Sequence, residues 1–301
     1  EEDLELIRRD WEVIAQKVRD GLAHKISERD TKYLAACTKA ATGADRTEQP
    51  ESDQSAKPRA YSLKASYVRD YILADPSRQQ SAISDVDLKS KMSFEQIFHA
   101  RFKPYMGMTA DEIASLLNVE VRRGAKNFYA VLTKRIIGIG VDKEIAEFKK
   151  AGILVRTVRL RPSGMPKEAV SFKAFDYRDL VTQTWDESDL RGELNTRFFF
   201  VIYQLDKMGT PRLARTQFWT MPELDVERHG RECFERTVEL IREDRAEYLP
   251  SSSDNKVCHV RPHGRDKSDT LPTPSGREVV RKSFWLNQSY LAEQLRSGED
   301  S

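Results

Sequence analysis

Leu4, Trp11, Ile14, Val18 and Leu22 fall on one face of a helix of about 3.6 residues per turn, so residues 2 to 28 are predicted to form a long amphipathic helix. The stretch 41 to 60, ATGADRTEQPESDQSAKPRA, has no apolar period and reads as a loop, and a second polar gap, DPSRQQSAISD, closes the N-terminal part near residue 85. At Thr109 the run TADE has capping-box spacing, Thr109 being the N-cap with Glu112 reaching back, so MTADEIASLLN opens a helix. NFYAVLTKRIIGIG, 127 to 140, continues as a helix ended by Gly138 or Gly140.

Two segments carry continuous apolar runs rich in β-branched or aromatic residues, GILVRTVRL at 152 to 160 and TRFFFVIYQL at 196 to 205. Both are predicted to be strands covered on both faces, at the centre of a sheet. Thr220, Pro222 and Glu223 mark a further helix start, with Phe234, Val238 and Ile241 forming its buried face as far as about Tyr248. KVCHVRPH, 256 to 263, reads as a short strand ending in a basic turn, and RKSFWLNQSYLAEQL, 281 to 295, as a final helix. Helices flank strands throughout, which gives an α/β class without internal repeats.

Composition narrows the partners only locally. Lys plus Arg number 50 and Asp plus Glu 48, so a net charge of +2 supplies no field over the whole molecule. The hydrophobic fraction of 39% suits an ordinary soluble core. The N-terminus EEDLELIRRDW is neither a signal peptide nor a basic targeting helix, and no run of 18 apolar residues occurs, so the expected location is cytoplasmic, with no membrane partner. No Met opens the chain, which leads us to expect a fragment of something longer. Cys37, Cys233 and Cys258 have neither disulfide nor zinc spacing and read as reduced packing residues.

The basic charge is segregated. Between Lys256 and Lys282 lie seven basic residues, Lys256, Arg261, Arg265, Lys267, Arg277, Arg281 and Lys282, against the acidic Asp266, Asp269 and Glu278. Arg156, Arg159, Arg161, Lys167 and Lys173 form a second group opposed by Glu168, and Lys57, Arg59, Lys64 and Arg69 a third. Such clusters line a groove for phosphates, with Arg261 at a strand end that reaches base edges, or else they are merely solvated faces. Tyr61, Tyr67 and Trp285 lie near these cations, where stacking on a nucleic acid competes with core packing. His24, His99, His229 and His259 have no partners at ligand spacing.

EFKKAGILVRTVRL, 147 to 160, has the frame of a magnesium-dependent nuclease strand, which needs two carboxylates for the metal and a Lys beside the attacking water. On that frame Glu147 takes the first carboxylate position, Leu154 the second and Arg156 that of the Lys. Leucine holds no cation, and an arginine keeps the charge without serving as a base. Glu147 reads more readily as a solvent-facing residue at a helix end than as a metal ligand, and Leu154 as core packing.

From about Ser93 to Leu295 the chain resembles MutH, the mismatch-repair nicking endonuclease, and the related Sau-type GATC-specific type II restriction endonucleases. LTKRIIGIG, EFKKAGILVRTVRL, SGMPKEAVSF, WDESDLRGEL, TRFFFVIYQL and VRPHGRDK followed by RKSFW carry the likeness. DGLAHKISERDTKYLAACTKA and QPESDQSAKPRAYSLKASYV are similar to the Sau-type branch alone, and extend the resemblance over essentially the whole chain. The resemblance implies a restriction-endonuclease-like, MutH-like α/β fold with a central mixed sheet flanked by helices. It spans 1–301 as one domain, with an N-terminal extension over 1–92 and a MutH-like core over 93–296. It also implies the degenerate second half of such an enzyme, because Lys134, Glu147, Leu154 and Arg156 stand where active members carry Glu, Asp, Glu and Lys. Arg261 matches the Arg that reads the site, His263 stands for a neighbouring Lys, Val279 for a recognition aromatic, and Arg281 and Lys282 are kept.

The expected role is therefore an allosteric effector that binds double-stranded DNA and needs no cofactor, a pseudonuclease partnered by the catalytic MutH-like half of the same enzyme. Its expected DNA-binding residues are Arg261, His263, Arg265, Lys267, Arg281, Lys282, Arg156 and Lys134. Two alternatives stay open. One is an active magnesium endonuclease that recruits Glu168; the other is a protein-interaction module that serves to form a homodimer.

Overall fold

The computed structural model describes residues 2–26, 30–39, 46–73, 76–185 and 188–297. These residues fall into two compact units, one of 1–106 and 110–155, the other of 107–109 and 156–301. The boundary between the two units lies inside a strand, at 155/156.

The first unit contains α1 (Glu2–Arg19), β1 (Leu34–Thr38), β2 (Thr47–Gln49), β3 (Ser52–Ala56), β4 (Arg59–Leu63), α2 (Ala65–Leu73) and β5 (Gln79–Gln80). It continues through α3 (Asp85–Lys89), α4 (Phe94–Phe102), α5 (Ala110–Leu116), α6 (Phe128–Ile137), β6 (Glu144–Ile145) and α7 (Ala146–Ala151). Strand β7 (Ile153–Leu160) crosses into the second unit. There follow β8 (Ser171–Ala174), α8 (Tyr177–Leu180), α9 (Asp189–Leu194), β9 (Arg197–Leu205), β10 (Pro211–Trp219), α10 (Glu223–Asp225) and α11 (Arg231–Arg242). The chain ends with β11 (Cys258–Pro262), β12 (Thr270–Pro272), β13 (Glu278–Val280), β14 (Lys282–Leu286) and α12 (Gln288–Ser297). The α/β class holds, but among the described residues the strands form several two- and three-stranded sheets rather than one central sheet.

In the first unit, α1 is shorter and turned differently from the apolar pattern. Leu6, Asp10 and Ile14 face inward, while Leu4, Trp11 and Val18 are exposed. The reason is Asp10, whose carboxylate accepts the backbone N–H groups of Lys32, Tyr33 and Leu34 at 2.6–3.0 Å and so satisfies the start of β1. A buried aspartate is invisible to a reading based on apolar positions, and it rotates the helix. The stretch expected as a loop from 41 to 60 forms β2 and β3 and begins β4, and β4 pairs antiparallel with β1; residues 41–45 lie outside the described residues. Gly138 ends α6 in the left-handed region at φ 91°, as one of the two expected glycines. Phe94, Phe98 and Phe148 pack ring to ring at centroid distances of 4.5–6.1 Å and anchor the core of this unit.

The second unit is built on the sheet β10-β9-β7 and the sheet β11-β14-β8. β9 is central and covered on both faces, as its apolar run predicts; β7 is an edge strand, and Leu154 is 39% exposed rather than packed in the core. β10, which no sequence signal had marked, completes the first of these sheets. Helix α11 buries Phe234, Val238 and Ile241 as expected, but ends at Arg242, where Asp244 takes a positive φ of 58°. Residues 282 to 286, read as the start of the last helix, are a strand, because Phe284 and Leu286 enter the core while Ser283 and Trp285 point to the other face.

Gly21 closes α1 at φ +68°, and a Cβ there would stand 2.4 Å from the Glu51 carbonyl oxygen. Gly21→Ala therefore meets both left-handed strain and a backbone clash, and is expected to lower unfolding free energy by at least about 2 kcal/mol in urea titrations.

Candidate functional site

Strands β11 and β14 pair antiparallel with Cys258 opposite Leu286, His259 opposite Trp285, Val260 opposite Phe284 and Arg261 opposite Ser283. Directly opposed residues share a face, so this register sorts the side chains into two sets. Cys258, Val260, Phe284 and Leu286 belong to the hydrophobic core. His259, Arg261, Ser283 and Trp285 form the other face, and β8 flanks it with Ser171 opposite Trp285.

On that face the Arg261 guanidinium lies over the Trp285 indole, with Cζ 3.7 Å from the ring centroid. The two residues are diagonal neighbours across the strand pair, a separation that long side chains bridge. The ring of His263 meets the same indole edge-on, with centroids 5.3 Å apart and planes at 64°. Trp285 is half-buried, whereas Arg261 and His263 are exposed. The backbone N–H groups of His263 and Gly264 both donate to the Arg281 carbonyl, so the turn after β11 is tied back onto β14's approach.

Behind Arg261, buried polar groups lock the strand pair. The Asn287 amide nitrogen donates to the carbonyls of Asn255 (2.6 Å) and Lys256 (3.1 Å), which leaves its oxygen to accept from His259 Nδ1 at 2.6 Å. The Asn255 oxygen accepts the N–H groups of Val257 and Cys258 at the entry to β11. Burial pushes His259 below the ordinary histidine range; the bond to Asn287 opposes this, and the charge of Arg261 adds to it.

Much of the basic charge counted along the chain is already neutralised. Arg277 pairs with Glu247 and Asp244, and Arg281 donates to Asp269 Oδ1 at 3.2 Å. Arg265 is 90% exposed and reaches the same aspartate only at 3.9 Å. Lys282 is turned into the core, where its ammonium donates to the Ala246 carbonyl at 2.6 Å and burial lowers its pKa; that geometry takes it out of the expected phosphate-facing set. Val279 is buried in β13. Among the described residues, Arg261 and Lys267 form no ion pair. Of the aromatics near cations, Tyr67 is buried, with its hydroxyl on Asp3 at 3.0 Å, Tyr61 is exposed, and Trp285 carries the Arg261 cation over its ring.

The four positions matching the nuclease frame are placed in both units. In the first, Lys134 donates to the Val141 carbonyl at 2.9 Å. Glu147 is 2% exposed, contrary to the solvent-facing expectation. Its Oε1 accepts from Ser81 Oγ (2.7 Å) and from the N–H groups of Ala82 and Ile83 (2.8 Å each), while Oε2 is buried without a hydrogen bond. Leu154 supplies no ligand atom. In the second unit Arg156 is half-buried; burial lowers its pKa, and nearby Glu193 opposes that. Burial also raises Glu193, whose Oε1 accepts the Lys173 N–H at 3.1 Å. Glu168 is ion-paired with Arg159. Among the described residues no group of three or more His, Cys, Asp or Glu side chains converges; on the nuclease strand itself Leu154 offers no oxygen, and Glu147 Oε1 is taken up by Ser81, Ala82 and Ile83. No helix among them is long and apolar enough to cross a membrane.

No family model matches the chain. It is 30% identical to Sau3AI of Staphylococcus aureus, a type II restriction enzyme, over 346 aligned positions that take in 97% of this chain and 70% of the relative. The chain therefore belongs to the Sau-type family of type II restriction enzymes.

Since the folded state binds a proton at His259 less readily than the unfolded chain does, the stability tied to this group is complete above the ordinary histidine pKa of about 6.5 and is lost as pH falls below it. Thermal melts between about pH 7.5 and about 5.5 are expected to show a larger drop for the wild type than for His259→Gln.

Proposed function

We propose that this chain binds duplex DNA in a sequence-specific way without cutting it, as the effector half of a type II restriction enzyme with a restriction-endonuclease-like fold. The observation that carries the reading is the exposed, unpaired guanidinium of Arg261, held over Trp285 at the end of β11. An arginine fork in that state suits the O6 and N7 acceptors of guanine in the major groove. The lack of a second carboxylate at Leu154, and the commitment of Glu147 to backbone N–H groups, support a role without cleavage. GATC as the target follows from the family resemblance, as does the catalytic MutH-like half as partner.

On this reading Arg261 contacts a base, Lys267 and the loosely held Arg265 contact phosphates, and His263 flanks the base reader. Arg281 supports the turn through Asp269. Lys134 and Arg156, engaged with a carbonyl and with the Glu193 charge, add positive potential rather than direct contacts. The magnesium-endonuclease reading would need Glu168, which is paired with Arg159. The interaction-module reading has one observation behind it, the exposed ridge of Leu4, Trp11 and Val18 on α1.

Fluorescence anisotropy with a GATC duplex and a scrambled duplex across a salt series tests the proposal. The expected result is a preference for GATC, of which Arg261→Ala removes about 1–3 kcal/mol. With Lys256, Arg265 and Lys267 exposed and available for phosphates beside the base-reading Arg261, log K should fall with log salt at a slope near −3, against about −6 if all seven basic residues of the segment met phosphates. Equal binding of both duplexes would sink the reading. The effector role predicts that an enzyme carrying both halves cuts DNA with two sites faster than DNA with one; equal rates would remove that role while leaving DNA binding intact.

A further inference from the structure

We propose that Trp285 is the positioning residue for Arg261, fixing the guanidinium plane so that its fork meets a guanine edge already oriented. This rests on the DNA-binding reading above and adds a residue that acts through Arg261 rather than on the DNA itself.

The chemistry of the contact carries the inference. Arg277 and Arg281, from the same basic stretch of sequence, are oriented by carboxylates, those of Glu247 and Asp269. A carboxylate orients a guanidinium by occupying its N–H donors, which are the groups a base needs. An aromatic face holds the cation from below and leaves the five in-plane donors open. Arg261, with its Cζ 3.7 Å from the Trp285 centroid and no ion pair among the described residues, is held in this second way. A stacked arginine side chain has fewer rotamers left to lose on binding than one free in solvent.

Trp285 is itself well fixed. It lies on the central strand of β11-β14-β8, between His259 and Ser171, with His263 against its edge. Its indole Nε1 is buried and makes no hydrogen bond, so packing rather than a polar anchor sets the ring plane. Phenylalanine therefore gives up no hydrogen bond there and keeps a π face, although a weaker one.

The test is a double-mutant cycle on the full chain, read by anisotropy with GATC and scrambled duplexes. Trp285→Leu is expected to reduce the preference for GATC about tenfold while leaving scrambled binding unchanged, with Trp285→Phe in between. In an Arg261→Ala background Trp285→Leu should have no further effect on the preference. Equal loss on both duplexes, or an effect of Trp285→Leu that adds in full to that of Arg261→Ala, would overturn the positioning role while DNA reading stands. If Arg261→Ala leaves the preference unchanged, the DNA-binding reading falls and the proposal falls with it. Circular dichroism melts confirm that each variant folds; should Trp285→Leu fail to fold, Trp285→Phe carries the same cycle, with a partial loss in the wild-type background and none beside Arg261→Ala.

Discussion

The register of β11 on β14 is the constraint on which the candidate site depends. Because side chains alternate along a strand, placing Val260 opposite Phe284 in the core forces Arg261, Ser283, His259 and Trp285 together on the other face. A slip of one residue would turn Arg261 toward the core and take Val260 and Phe284 out of it. The register is held at its closed end by two buried amides: Asn287 donates to the Asn255 and Lys256 carbonyls and accepts from His259, while the Asn255 oxygen accepts the Val257 and Cys258 N–H groups and its nitrogen donates to the His229 carbonyl. A few buried polar bonds thus fix which cation reaches solvent.

Electrostatics then decides which of the many cations remain available. A segment with seven basic residues suggests a broad phosphate-binding strip, but Arg277 and Arg281 are matched to Glu247 and Asp269, and Lys282 caps a carbonyl inside the core. What is left is a small surface centred on Arg261. On the proposed DNA-binding reading that arrangement would favour discrimination over bulk affinity, since screened surface cations add sequence-independent attraction while an oriented fork adds a directional contact.

The first unit uses two buried carboxylates to tie distant segments together. Asp10 and Glu147 are both nearly inaccessible, and each gathers main-chain N–H groups from a distant segment: Asp10 those of residues 32 to 34, Glu147 those of residues 82 and 83. An ionised acceptor with two or three N–H partners recovers the desolvation that burial costs. Glu147, which stands at a metal-ligand position on the nuclease frame, thereby serves the fold, and its oxygen Oε1 is not free for a cation.

By itself the sequence determined the elements with a strong period or a strong stop: α11 through Phe234, Val238 and Ile241, β9 through its unbroken apolar run, and the end of α6 at Gly138. It also marked Arg261 as a strand-end arginine, because that position follows a short apolar strand. Tertiary structure alone decided the rest. The inward face of α1 turned on the hydrogen-bond needs of β1, and residues 282 to 286 became a strand because β11 and β8 offered partners on either side. The stacking of Arg261 on Trp285 joins residues 24 positions apart through that pairing. Local propensity reports what a segment does alone, whereas buried charges and cross-strand neighbours are contributed by segments far away in the chain.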